Sequence, residues 1–273
     1  MSSLRWILKK EKKRDIEINI KLIMQRLPFQ ILVFPYRFLN AGEKIEFALF
    51  KREAPEGWVF WQGIAGGGEG NETPLETAKR ETYEESGIPM ESNFIKLNTV
   101  NSIPITRFKE KHLWEENLYV IPEYSFGVNV SNSIITISKE HTKYKWLRYS
   151  EAMKILKWDS NKTALWELNC RLLNIDPRDV EEILVNLLDE IKEIIRTQDT
   201  DVLWSSFDTK EDFLKELDNH IQRFQNNDFS SIEQLIGLFL PTGDLQEIAI
   251  SSGWGEEYLA ISKKFDDLIQ VIF

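Results

Sequence analysis

Cysteine is almost absent from this chain of 273 residues. The single Cys170 cannot form an intramolecular disulfide, so the sequence reads as a protein of a reducing cytoplasm. It sits in the apolar-rich pattern "ALWELNCRLLNI" and reads as a buried core thiol. No apolar run approaches the roughly 20 residues of a membrane span. Positive charge is in deficit, with 34 Lys and Arg against 44 Asp and Glu and a formal net charge of −10. That balance disfavours general nucleic-acid binding, which needs a basic surface, but not a nucleotide held through a metal ion. Histidine is scarce, and His112, His141 and His220 show no metal-ligand spacing, so each reads as structural or exposed. Repeats and low-complexity tracts are missing. The basic start "MSSLRWILKKEKKRDIEINIKLIM" has no apolar core after its charges and makes a poor signal peptide. It reads as a solvated helix or disordered tail, with Met24 as an alternative start.

What is present divides into two textures. Hydrophobic residues are 42% of the chain, enough for real cores. Residues 29–158 are strand-rich: "FQILVFPYRF", "KIEFALFKRE" and "GWVFWQGIA" are apolar runs separated by Asn-Ala-Gly and Ala-Pro-Glu-Gly turns. "NFIKLNTV", "ENLYVIPEYSFGV" and "TKYKWLRY" follow, then the helical patterns "SEAMKILKW" and "SNKTALWELNCRLL". Beyond Asp176-Pro177 the pattern is helical. In "DVEEILVNLLDEIKEIIR", Val180, Leu184, Leu187, Leu188, Ile191 and Ile195 recur at three- and four-residue spacing. The expected division is an N-terminal extension (1–23), an α/β domain (24–175) and a small all-α domain (176–273).

Between the strands lies "GGGEGNETPLETAKRETYEESGI", residues 66–88. Thr73, Pro74 and Glu76 form a capping box with proline at the first helical position, and Gly87 suits a left-handed helix end. A helix over Pro74–Ser86 places Glu81, Glu84 and Glu85 at i, i+3 and i+4, on one face. Leu75, Ala78 and Thr82 fall on a packing face. Like charges so close need compensation. Carboxylates are hard ligands suited to Mg²⁺ or Mn²⁺, and the glycines read as a loop allowing close approach of phosphate or metal.

The stretch resembles the Nudix box, G-x5-E-x7-R-E-U-x-E-E-x-G-U, with U a bulky aliphatic residue. Gly66, Glu72, Arg80, Glu81, Glu84, Glu85, Gly87 and Ile88 fall in register. Thr82 departs from the first U position, and Asn71 stands where many members carry glycine; asparagine tolerates a left-handed turn. The resemblance implies an αβα sandwich around a mixed sheet and hydrolysis of a nucleoside diphosphate linked to a further group. It implies that Arg80 orients the catalytic glutamates and that Glu81, Glu84 and Glu85 hold metal with the Ala65 carbonyl. Glu140, just before "TKYKWLRY", stands where several members place a further metal ligand. Either Glu81 or a carboxylate outside the box would be the general base.

"RLPFQILV", "FWQGIAGG" and "KWDSNKTALWEL" are similar to the dihydroneopterin triphosphate pyrophosphatase subgroup. By that resemblance Arg26, Lys51, Ala65 and Ser160 line the substrate site. Phe60, Trp61, Trp114, Tyr124 and Phe126 are candidates for stacking on a purine or pterin ring. The substrate stays open among dihydroneopterin triphosphate, a dNTP such as dATP, and an oxidised nucleotide. A second reading is a Nudix-derived nucleotide sensor whose helical domain contacts a partner, although the box keeps all its glutamates. The acidic helices of 176–273 suit an oligomerisation or protein-partner module.

Overall fold

The computed structural model describes residues 26–40, 44–53, 57–130 and 134–272. The N-terminal extension, Met24 and most of the two expected turns (41–43 and 54–56) lie outside the described residues. The chain forms two compact units, one ending at Asn169 and the other starting at Cys170.

The first unit is built on strands β1 (Arg26–Leu39), β2 (Lys44–Glu53), β3 (Val59–Gln62), β4 (Ile64–Glu69), β5 (Phe94–Pro104), β6 (Val120–Asn129) and β7 (Lys143–Leu147). The path is β3-β2-β1-β6-β5, with β4 also pairing β1 and β7 pairing β2. The β1–β6 pair is parallel and the others antiparallel, so the sheet is mixed.

Helix α1 (Pro74–Ser86) covers one face. Its Ala78 joins Ile31, Val33, Phe50, Phe126 and Val128 in a fully buried core. Strand alternation sends the next residue to the opposite face. There Gly127 meets α3 (Asp159–Leu173): a Cβ on Gly127 would lie 2.4 Å from a Leu168 methyl. Helices therefore sandwich the sheet, as the α/β reading expected. At an irregularity in β5, Glu167 of α3 accepts the N–H groups of Asn98 and Thr99, each at 2.7 Å. This anchors α3 and positions Ser160 and Asn161 in its first turn. Helix α2 (Tyr149–Ile155) precedes it.

The second unit holds α4 (Val180–Thr197), α5 (Lys210–Phe224), α6 (Ile232–Phe239), α7 (Asp244–Ser251) and α8 (Gly255–Ile272). All six apolar positions expected on α4 are buried. The division falls inside α3, ahead of the change of sequence texture at Asp176, because the last turn of that helix belongs to the second compact unit.

Candidate active site

The capping box of α1 is formed: Glu76 N–H donates to Thr73 Oγ1 at 3.3 Å, and Thr73 N–H donates to the Glu76 carboxylate at 2.8 Å. Gly87 closes the helix at φ 70°. The buried stripe runs through Thr77, Ala78, Thr82, Glu85 and Ser86 and leaves Leu75 exposed in the first turn, contrary to the packing face expected for it. Thr82 is fully buried with no partner for its hydroxyl. In the turn before the helix the left-handed residue is Gly70 (φ 57°), so Asn71 is not asked to adopt that conformation.

Gly66, Gly67 and Gly68 are not a loop. They are part of β4, with Gly66 opposite Ile31 and Gly67 opposite Gln30. Glycine is required there by side chains arriving from elsewhere. A Cβ on Gly66 would lie 2.0 Å from Glu81 Cδ, and one on Gly67 2.4 Å from Arg26 Cζ. The missing side chains let Glu81 and Arg26 lie flat against the strand.

Arg80 is the hub of the acidic helix. It donates to Glu72 at 2.7 and 3.0 Å, to the Gly67 carbonyl at 2.9 Å and to Glu84 at 3.1 Å, and pairs with Glu81 at 3.1 Å. The Glu72 hydrogen bond raises the Arg80 pKa further above its ordinary value, so the guanidinium stays charged. Burial alone would push the Glu72 carboxyl up, but hydrogen bonds from Arg80, the Glu69 N–H and Thr77 outweigh it and hold it below its usual range. Burial pushes Glu81 up to about 7 against the pull of Arg80, and the charge of Glu85 adds to the rise. Glu85 is 4% exposed and bonded to His141 Nε2 at 2.6 Å, while that imidazole packs on Phe50. His141 is thus structural in a specific sense: it holds a box glutamate. Its sequence position, next to Glu140, carries no such signal.

Glu81 and Glu85 open onto a cleft of about 670 Å³. Arg26, Ala65, Glu140 and Ser160 line it. Lys51 does not, and that expectation is corrected. Lys51 pairs with Glu53 at 3.1 Å, and the alternation of β2 turns Arg52 to the cleft instead, where it meets Glu140 at 3.3 Å. Arg107 and Lys109 add further positive charge. Of the aromatic candidates only Phe60 lines the cleft, edge-on to Trp158 at 6.0 Å. Trp61 lies under Lys145, Tyr124 packs on Phe29, Phe126 is core, and Trp114 donates to the Arg26 carbonyl at 2.9 Å. Trp158 and Phe108, both missed from sequence, are lining residues.

Among the described residues no three acidic, histidine or cysteine side chains form a ready-made metal cage. Glu84 leans on Arg80, and Glu85 on His141. The donor set nevertheless fits a hard divalent cation: carboxylate oxygens at a buried site where the charges of Glu81 and Glu85 oppose each other. Acidic floor and basic rim together suit a metal-assisted attack on a phosphate chain.

The NUDIX domain family model matches residues 35–166. The dihydroneopterin triphosphate diphosphatase of Haemophilus influenzae is 30% identical over 108 residues, 39% of this chain and 68% of that protein. The asymmetrical bis(5'-nucleosyl)-tetraphosphatase of Mus musculus is 33% identical over 123 residues, 45% of this chain and 78% of that protein. A crystal structure described as a NUDIX hydrolase from Listeria monocytogenes is 40% identical, with TM-score 0.47, over 54% of this chain and 96% of that one. The chain belongs to the Nudix family and is a hydrolase acting on phosphoric anhydride bonds. Among the described residues no helix is long and apolar enough to cross a membrane.

Proposed function

We propose that the protein is a Mg²⁺- or Mn²⁺-dependent pyrophosphohydrolase of a pterin or purine nucleoside triphosphate, dihydroneopterin triphosphate being the leading candidate. One observation carries this reading: Glu81 and Glu85 open onto the same cleft as Arg26, Arg52, Arg107, Lys109 and the rings of Phe60, Phe108 and Trp158. That combination suits a flat ring joined to a phosphate chain. The similarity to a dihydroneopterin triphosphate diphosphatase supports the substrate class.

Glu81, Glu84, Glu85 and the Ala65 carbonyl would hold the cation, with Glu140 available at the cleft wall. Bound there, the cation supplies Lewis acidity and charge neutralisation to phosphate oxygens. Arg26 and Arg52 orient the phosphate chain through charge-assisted hydrogen bonds. Arg80 fixes the Glu81 carboxylate, which takes the proton of the attacking water. Attack at phosphorus breaks one P–O anhydride bond, and pyrophosphate leaves.

The reading is tested by a substrate panel on the intact protein with Mg²⁺ or Mn²⁺: dihydroneopterin triphosphate, dNTPs, an oxidised dNTP, dinucleoside polyphosphates and nucleotide sugars. The expected outcome is release of pyrophosphate from a triphosphate, abolished by chelation. Turnover that is indifferent to chelator, or restricted to nucleotide sugars, overturns it. Tight nucleotide binding without turnover would favour the sensor reading, with the helical unit reporting occupancy.

A further inference from the structure

The cleft has a second polar centre apart from the acidic helix. Glu123 on β6 is 3% exposed, lines the cleft, and leaves its Oε1 without a partner. Its other oxygen, Oε2, accepts from Gln30 Nε2 at 3.3 Å. Gln30 cannot turn its amide round, because its Oε1 accepts from Arg26 at 2.9 Å. Asn161 beside Ser160 is 4% exposed and also lines the cleft. Its amide nitrogen donates to Ser160 Oγ at 3.4 Å, which leaves Asn161 Oδ1 as a second unpartnered acceptor.

Glu123 is therefore held by a donor at Oε2 and Asn161 by an acceptor at its amide nitrogen, and each presents an unpartnered acceptor at its other atom. A buried carboxylate with an unpaired oxygen is costly unless a ligand supplies hydrogen-bond donors. Two fixed acceptors ask for a ligand edge with adjacent donors. A 2-amino-4-oxo pyrimidine ring, shared by guanine and pterin, offers an exocyclic NH₂ beside a ring N–H. Adenine offers an amino group beside a ring acceptor, which would face the carboxylate oxygen unfavourably. Hypoxanthine keeps the ring N–H and lacks the amino group. Phe60 and Trp158 line the same cleft and suit the faces of such a ring.

We propose that Glu123, seconded by Asn161, is the specificity determinant of this cleft and selects a ring with a 2-amino group beside a ring N–H, guanine or pterin, over adenine. The proposal rests on the triphosphate-hydrolase reading for its kinetic form but has a binding form that does not. Leaving a buried polar group unpaired by the wrong ring costs affinity steeply, so discrimination of at least tenfold is expected.

Two measurements on the intact protein test it. The first is kcat/KM for dGTP, dITP and dATP in the parent and in Glu123→Gln. The parent should prefer dGTP to both dITP and dATP by at least tenfold. The variant should lose most of that preference, and lose it through KM rather than kcat. The second is calorimetric binding of neopterin, guanosine and adenosine, which needs neither metal nor hydrolysis. Neopterin and guanosine should bind the parent more tightly than adenosine, and Glu123→Gln should level the three. Equal handling of dGTP, dITP and dATP by the parent overturns the proposal, as does a variant that keeps the preference. A parent that hydrolyses none of the triphosphates but discriminates among the three ring compounds would refute the hydrolase reading and leave this one standing. A parent that neither hydrolyses nor discriminates would refute both.

Discussion

The two units bury different kinds of residue. In the helical unit the buried side chains are overwhelmingly apolar: Leu184, Leu188, Phe213, Phe224, Trp254 and Phe265 are at or below 1% exposure. Its buried Lys192 is answered by Asp218 at 2.5 Å and Asp189 at 3.1 Å, and His220 Nδ1 by Ser231 at 3.0 Å, while His220 Nε2 and the Trp254 indole nitrogen have no hydrogen-bond partner. In the catalytic unit burial extends to Glu85, Glu123, His141 and Asn161, and the last three keep an atom without a partner. Stability alone gives no reason to bury carboxylates this way, since each is desolvated without full compensation. Both units leave buried polar atoms unpartnered, but among the described residues only the catalytic unit buries carboxylates, Glu85 and Glu123, and that is the burial that points to a ligand. The comparison can be broken by any cleft variant that behaves like a core variant.

The largest effect is expected at Glu85. Glu85→Gln keeps volume and the hydrogen bond to His141 while removing a charge proposed to hold metal. It should lower kcat by about 10²–10³-fold, the scale for losing one electrostatic contact in a transition state. The protein should still fold, as judged by its circular dichroism spectrum. Near-parental turnover would remove Glu85 from the metal set.

Glycines sharpen the contrast next. Gly66→Ala brings a Cβ to 2.0 Å from Glu81, a flexible side-chain end that can swing away, so the strand should survive and Glu81 should not stay in place. Activity should fall roughly tenfold or more, in line with the sensitivity of catalysis to small displacements. Gly237 lies in helix α6, and a Cβ added there would meet nothing within 4 Å. Gly237→Ala should stabilise by about 0.5–1 kcal/mol through backbone entropy, with kinetics unchanged. Paired melts and rates on the two variants would show whether a glycine serves the site or merely tolerates its position.

Glu123 makes a pH-dependent prediction. Burial, opposed by the Gln30 hydrogen bond, pushes its carboxyl up to about 7. An unfolded glutamate ionises near ~4.3. Between those values the folded state binds more protons than the unfolded one, so stability is fullest at low pH and declines as pH rises through 7. Replacing Glu123 with Gln should therefore stabilise the protein at pH 8 relative to the parent, by on the order of 3 kcal/mol, and the gap should close below about pH 4.5. Glu81 follows the same trend in both proteins and cancels in the difference. Urea melts of both proteins across pH 4–8 without metal would check it; a gap that is constant with pH would show that Glu123 does not titrate in this window.

These cases also mark what the sequence could disclose. Helix α1 was legible because its signals are local: the Thr73–Glu76 box, Pro74, Gly87 and the i, i+3, i+4 carboxylates all lie within one short segment. The apolar stripe of α4 was legible for the same reason. The three glycines read locally as a loop, whereas their use is set by Glu81, Arg26 and Phe29 arriving from other elements. Choosing Lys51 over Arg52 needed the facing of one strand, which a single-residue shift reverses. Glu123 meets Gln30 only through the parallel pairing of β1 with β6, across 93 residues, and nothing in "IPEYSF" announces it. His141 reaches Glu85 across 56 residues in the same way.

The smallest effect is expected from removing the helical unit. Every residue lining the cleft lies at or before Asn161, and the Nudix match ends at residue 166. Helix α3, which carries Ser160, Asn161 and the Glu167 anchor, runs to Leu173. A cut at 169 would truncate that helix and strip its last turn of helical hydrogen bonds, whereas a cut after residue 175 leaves it whole. The fragment 24–175 should therefore fold cooperatively and keep kcat/KM within about threefold of the full chain, the scale of small remote perturbations. If it is soluble and cooperative but inactive, the helical unit completes the site, and the division between a unit built for chemistry and one built for packing fails. If it is active while the full chain responds to an added protein partner and the fragment does not, the helical unit is the partner module its acidic amphipathic helices suit.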